Sequence, residues 1–231
     1  KWTTQLGTTE HDELTGVTVS RNGEVFLSGE TQGSYPTFVN QGDVDAVATE
    51  YDKDGVQQWL QQFGTTSFDH LQGVAVSKDG NLFAGGYTGG DLSIVNVGGA
   101  DAFAVQMDTV TGALACTRQF GTTEDESVAG VSVSKDGGVI LGGSTDGSFP
   151  TFANAGGSDG FAAILDVTGT QLFFAQFGTA SDETAAGVAT AKRSGDPIVA
   201  GGTKGSFPGF VNAGNADIYA MDIASELFET L

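Results

Sequence analysis

A chain of 231 residues with 39% hydrophobic residues and 16 phenylalanines can bury a substantial core, and 36 glycines against 4 prolines point to many tight turns rather than proline-rich disorder. A formal charge of −20, from 29 acidic and 9 basic residues, excludes nucleic-acid binding driven by Lys and Arg. A single cysteine excludes an intrachain disulfide, and no run approaches the 18 apolar residues that a spanning helix needs.

In chain order, the opening segment KWTTQLGTT (1–9) returns as QWLQQFGTT, CTRQFGTT and FFAQFGTA. The glycine of its "GT" recurs at Gly7, Gly64, Gly121 and Gly178, in steps of 57 residues. A second glycine keeps the same step at Gly16, Gly73, Gly130 and Gly187. Self-similarity of this kind identifies stacked units, each built from one supersecondary motif.

Within a unit the first run, LTGVTVS (14–20) or LQGVAVS (71–77), alternates apolar with small or polar residues and predicts a strand. Asn22-Gly23, Asp79-Gly80 and Asp136-Gly137 then predict two-residue hairpin turns into a second strand, such as EVFLSGE (24–30). An aromatic-proline loop follows at 35–38, 149–152 and 207–210, with LSIV (92–95) in its place in the second unit. A third strand opens on aspartate at Asp45, Asp101, Asp159 and Asp217, and a further Gly turn leads to a fourth strand ending at Phe63, Phe120 and Phe177.

The expected fold is therefore all-β: four four-stranded antiparallel meanders of about 57 residues, arranged as a β-propeller-like ring over residues 1–224. The fourth unit stops without its QFGT strand, and the N-terminal strand 1–7 supplies the missing piece, Trp2 standing where Trp59, Cys116 and Phe173 stand elsewhere. Trp2 and Leu6 are thus expected to close the ring on the last blade, which removes an open sheet edge. Two chains sharing strands, or half of a larger ring, are alternatives. Residues 225–231 form a tail that breaks the repeat.

The pattern "GV.VS.DG", "GG.T.G", "DAF", "QFGT" over 73–123 resembles the SBBP-type bacterial β-propeller repeat. The resemblance implies a propeller and no uniform catalytic residues, although four units are few for the family. A second, looser resemblance is to diatom pyrenoid shell proteins, paired β-rich repeats that assemble into sheets; it implies a chloroplast pyrenoid location, the alternative being secretion or the cell surface.

No catalytic constellation is assigned. His11 and His70, at inequivalent positions, read as variable loop residues, and Cys116 occupies a strand position of apolar type. Asp12, Asp69, Glu126 and Glu183 all fall five residues after the GT glycine, and with Asp45, Asp101, Asp159 and Asp217 they form carboxylate sets suited to Ca²⁺. The simpler reading gives each carboxylate to the backbone of its own turn, so no cofactor or metal is required. Leu227, Phe228 and Leu231 of the tail are apolar without a place in the repeat and form a candidate assembly interface. The function expected is a non-enzymatic structural protein whose partner is itself, forming a sheet, shell or filament. A secreted or surface module binding protein or glycan is the alternative, and a propeller hydrolase or lyase is third.

Overall fold

A computed structural model describes residues 1–191 and 194–223. Fifteen strands and no helix are present among them. The first sheet holds β1 (Asp12–Val19), β2 (Val25–Thr31), β3 (Asp45–Tyr51) and β4 (Gln57–Phe63), in that order. The second repeats the plan with β5 (Asp69–Val76), β6 (Leu82–Thr88), β7 (Asp101–Met107) and β8 (Leu114–Phe120). The third has β9 (Glu126–Val133), β10 (Val139–Thr145), β11 (Asp159–Leu165) and β12 (Gln171–Phe177). The fourth has three strands, β13 (Glu183–Thr190), β14 (Pro197–Thr203) and β15 (Asp217–Asp222). All pairings between these strands are antiparallel, as the meander predicts, and an isolated parallel bridge joins Val44 to Phe68.

The turn chemistry differs from the expectation in one respect. Only the glycine has positive φ, as at Gly23 (88°), and Gly23 N–H donates to Ser20 O while Ser20 N–H donates to Glu24 O. This is a three-residue loop, a type I turn closed by glycine in the left-handed region, and Asn22 keeps negative φ. The aromatic-proline loops are tight turns too: Phe152 N–H donates to Phe149 O, with Thr151 at φ 72°. The fourth unit places Gly209 at that position, φ 85°.

The sheets stack face to face. β5 packs on β1, β2 and β3; β9 on β5, β6 and β7; β13 on β9, β10 and β11. The first strands therefore sit side by side on the inside of the fan. Their recurrent glycine permits this: a Cβ on Gly130 would lie 2.8 Å from the Cα of Gly187. Three apolar cores fill the junctions, with Phe26, Trp59, Leu71 and Phe103 in the first and Val128, Phe149 and Phe161 in the second. The third is smaller, around Val199 and Ile223.

The ring closure expected of residues 1–7 is not formed among the described residues: that segment pairs with no strand there, and β15 pairs only with β14. Trp2 instead lies on the first sheet, stacked 5.9 Å from Tyr51, with its indole N–H donating to Lys53 O at 3.2 Å. Trp59 makes the equivalent bond to Thr109 O in the next sheet, at 2.9 Å. The physical reason is that the Trp of a fourth strand packs forward, on the turn of the unit that follows, and Trp2 makes this contact with the first unit although its own segment is unpaired.

Candidate functional site

The two carboxylate sets are structural locks. In each unit the acid at the start of the first strand accepts from a threonine four residues earlier and from the threonine ending the second strand. Glu126 takes Thr122 N–H at 2.5 Å, Thr122 Oγ1 at 2.6 Å and Thr145 Oγ1 at 2.6 Å. Asp12 uses Thr8 and Thr31, Asp69 uses Thr65 and Thr88, and Glu183 uses Thr179 and Thr203. Burial works to raise the Asp12 pKa, but bonds from Thr8, Thr31 and Tyr35 outweigh it and hold it below the usual value. At Glu126 burial wins over the threonine bonds and the pKa is raised.

The third-strand aspartates are bound by the glutamine of the QFGT strand. Gln62 Nε2 donates to Asp45 at 2.9 Å, Gln119 to Asp101 at 2.9 Å and Gln176 to Asp159 at 3.0 Å. Burial raises the Asp45 pKa against the bonds from Gln62 and Gln41. Asp217 accepts from Ala213 N–H, and no described glutamine reaches it. No group of three or more His, Cys, Asp or Glu among the described residues has metal-binding geometry. The GT glycine fits between the two sets: a Cβ on Gly121 would lie 2.2 Å from Asp101 Oδ1 and 2.8 Å from Glu126 Oε2.

One residue to either side of these locks, the units differ from one another. The position before the first-strand acid holds His11, Phe68, Asp125 and Asp182, and the position after it Glu13, His70, Ser127 and Thr184. Flanking the second-strand threonine stand Glu30 and Gln32, Tyr87 and Gly89, Ser144 and Asp146, Gly202 and Lys204. The register brings these positions together on one face, since His70 is opposite Tyr87 and Ser127 opposite Ser144.

Seven of these residues, Phe68, Tyr87, Asp125, Ser127, Ser144, Asp146 and Thr184, line a cleft of about 470 Å³ together with Ser158. His70 stands beside it on β5, in a strand and half-buried, which corrects its reading as a loop residue. Its Nδ1 lies 2.5 Å from Glu30 Oε2, and its ring stacks on Tyr87 with centroids 4.7 Å apart. Phe68 completes the aromatic group, 5.7 Å from His70 and 6.2 Å from Tyr87. Burial raises the Tyr87 pKa, and the neighbouring Glu30 carboxylate adds to it. Asp125 Oδ1 accepts Ala100 N–H at 2.9 Å, whereas the Asp146 carboxylate accepts from no described residue. The signal that finds this cleft is the departure from repetition at fixed register positions.

His11 is exposed just before β1, and Cys116 is half-buried, its thiol 3.5 Å from Thr168 O in the third sheet. Leu6 is exposed on the N-terminal segment. Leu227, Phe228 and Leu231 lie outside the described residues. The fan ends in two apolar faces. On the first sheet Leu14, Val17 and Val19 are exposed. On the last, Ile218 is 94% exposed, Val211 89% and Phe210 76%, beside a groove of about 510 Å³ that also includes Phe207 and Pro208.

Comparison with known proteins finds a repeat of the same type. The family model described as Beta-propeller repeat (SBBP) matches residues 1–36, so the chain carries a repeat of this kind. No curated protein matches the chain. Among solved structures, one described as the crystal structure of polysaccharide lyase Uly1 is similar over 90% of this chain and 49% of its own, with a TM-score of 0.43 and 12% identity. The chain thus spans about half the length of that structure.

Proposed function

We propose that the chain is a non-enzymatic binding module, a fan of propeller blades that recognises a glycan or protein ligand in the cleft between its second, third and fourth units. The observation that carries this reading is the clustering of unit-specific side chains in that cleft, on a scaffold whose other recurrent positions are occupied by locks. A concave site with an aromatic wall and a few polar groups is the usual form of a ligand pocket. The non-catalytic reading is supported by the place of His70, which stands outside the residues that line the cleft. A glycan and peptide array probed with the purified chain and with Tyr87→Ala tests it. Ligands retained by the parent chain and lost by the variant are expected; identical array profiles would refute the cleft as the site.

The terminal faces favour a second reading, assembly with further blades of the same kind. The internal junctions bury what these faces expose, and among the described residues no glutamine reaches Asp217 and no hydrogen-bond partner reaches the buried Tyr219 hydroxyl. Light scattering over a concentration series is expected to show association that Ile218→Lys abolishes. A mass of one chain at every concentration would remove this reading.

A further inference from the structure

We infer that the cleft takes a carbohydrate bearing amino groups, a glucosamine-type saccharide, rather than an acidic one; this rests on the cleft being the binding site. Three features of its wall decide the chemistry. The first is aromatic: Phe68 and Tyr87 are lining residues packed edge to face, and the His70 ring, itself held by Glu30, stacks on Tyr87. A sugar offers an apolar face of C–H bonds to such a ring, and an ammonium is attracted to its π-face.

The second is a row of hydroxyls, Ser127, Ser144, Ser158 and Thr184, which both donate and accept hydrogen bonds as a polyol requires. Ser144 Oγ is already aimed, accepting Ala185 N–H at 2.9 Å and so leaving its own proton to donate.

The third is charge. Asp125 and Asp146 are the exposed ionic groups of the wall, and no Lys or Arg is among the residues that line it. Glu126 also borders the cleft but is buried and committed to Thr122 and Thr145. Asp146 has no donor from the described residues, and Asp125 spends one oxygen on Ala100 N–H. Lys204, which flanks the second-strand threonine of the fourth unit, is held by Asp182 at 2.7 Å. In a chain of net charge −20 this wall repels uronates and sulfated sugars and favours an ammonium. A carboxylate also accepts sugar hydroxyls through charge-assisted bonds.

The test is calorimetric titration with four probes: glucosamine tetramer, N-acetylglucosamine tetramer, a galacturonate tetramer and tetralysine. The glucosamine tetramer is expected to bind about tenfold more tightly than its N-acetylated counterpart, a difference of about 1.4 kcal/mol. The galacturonate should give no heat and tetralysine should bind more weakly than the glucosamine tetramer. In the double variant Asp125→Asn, Asp146→Asn the preference should vanish while the neutral sugar still binds, because the side-chain amide oxygen introduced at position 125 still accepts the Ala100 N–H. Equal binding of the two sugars, lost in Tyr87→Ala, would overturn the inference and leave the cleft standing. Tetralysine binding as tightly as the amino sugar would overturn it in favour of a basic peptide. Saccharide binding unaffected by Tyr87→Ala, or none at all, would overturn both.

Discussion

Glu126 and its neighbour Ser127 are adjacent in sequence, and they are governed by different rules. Glu126 has a counterpart in every unit, and each counterpart closes the same triangle with two threonines. Ser127 has as counterparts Glu13, His70 and Thr184, which share nothing but their register. Repetition marks what every blade needs in order to fold, and its breakdown at a fixed position marks what only one place on the molecule needs. Seven of the side chains that break it, from the second, third and fourth units, line one cleft.

Removing a lock should therefore have the largest effect. Glu126→Ala leaves the buried Thr122 N–H and Thr122 Oγ1 without an acceptor and Thr145 Oγ1 with only its longer bond to Gly147 O, and should cost about 3–5 kcal/mol. For a domain of this size that lowers the melting temperature by roughly 10 °C, measurable by calorimetry. A loss under about 1 kcal/mol would show that the lock is decorative. Trp59→Ala, emptying a site 8% exposed, should cost a similar amount, whereas Trp2→Ala, at 40% exposure on an unpaired segment, should cost about 1 kcal/mol. Equal losses would mean that the N-terminal segment is as well seated as β4.

Thr151 sharpens the comparison between units. Its φ of 72° strains a β-branched residue, and the fourth unit already carries glycine there. Thr151→Gly should stabilise the fold by about 0.5–1 kcal/mol, seen as a small rise in melting temperature. At the lower end, Asp146→Asn and Ser127→Ala should shift stability by no more than about 0.5 kcal/mol.

The locks also predict an acid profile with two limbs. Asp45 and Glu126 have raised pKa values, chiefly through burial, so the folded chain binds their protons more tightly than the unfolded chain. Their contribution to stability grows as pH falls from neutral towards the ordinary carboxylate range, about 4. Asp12 is lowered, its hydrogen bonds overcoming burial, and exposed Asp108 and Asp166 are lowered by threonine hydrogen bonds. Their contribution is present above the ordinary range and is lost as pH falls through their folded values. Melting temperature should rise slightly from pH 7 towards about 4 and fall below it, and Glu126→Gln should flatten the first limb. A monotonic decline from neutral pH would contradict the assignment.

Much of the fold is legible in the chain because period, turn glycines and strand alternation agree. The lock role of the acids is legible too, since four copies of a carboxylate five residues after a glycine imply a local task. The cleft is not visible in this way. Phe68, Tyr87, Asp125 and Asp146 belong to two different units, and nothing in their spacing says that β9 packs on β5 and β6. His70 reads as a loop residue because its offset from the GT glycine differs from that of His11. The offset places it one residue inside β5, while His11 stands one residue outside β1. The resemblance to propeller repeats has its counterpart in residues 1–36, and the resemblance to pyrenoid shell proteins has none among the curated proteins.

The most direct measurement is a paired one on Tyr87→Ala and Glu126→Ala, recording the melting temperature and the binding of glucosamine tetramer for each. The account predicts that Tyr87→Ala melts within a few degrees of the parent chain and loses binding, while Glu126→Ala melts roughly 10 °C lower and, below its transition, still binds. A Tyr87→Ala chain that binds as the parent does, or that unfolds along with its loss of binding, would contradict the division between framework and site.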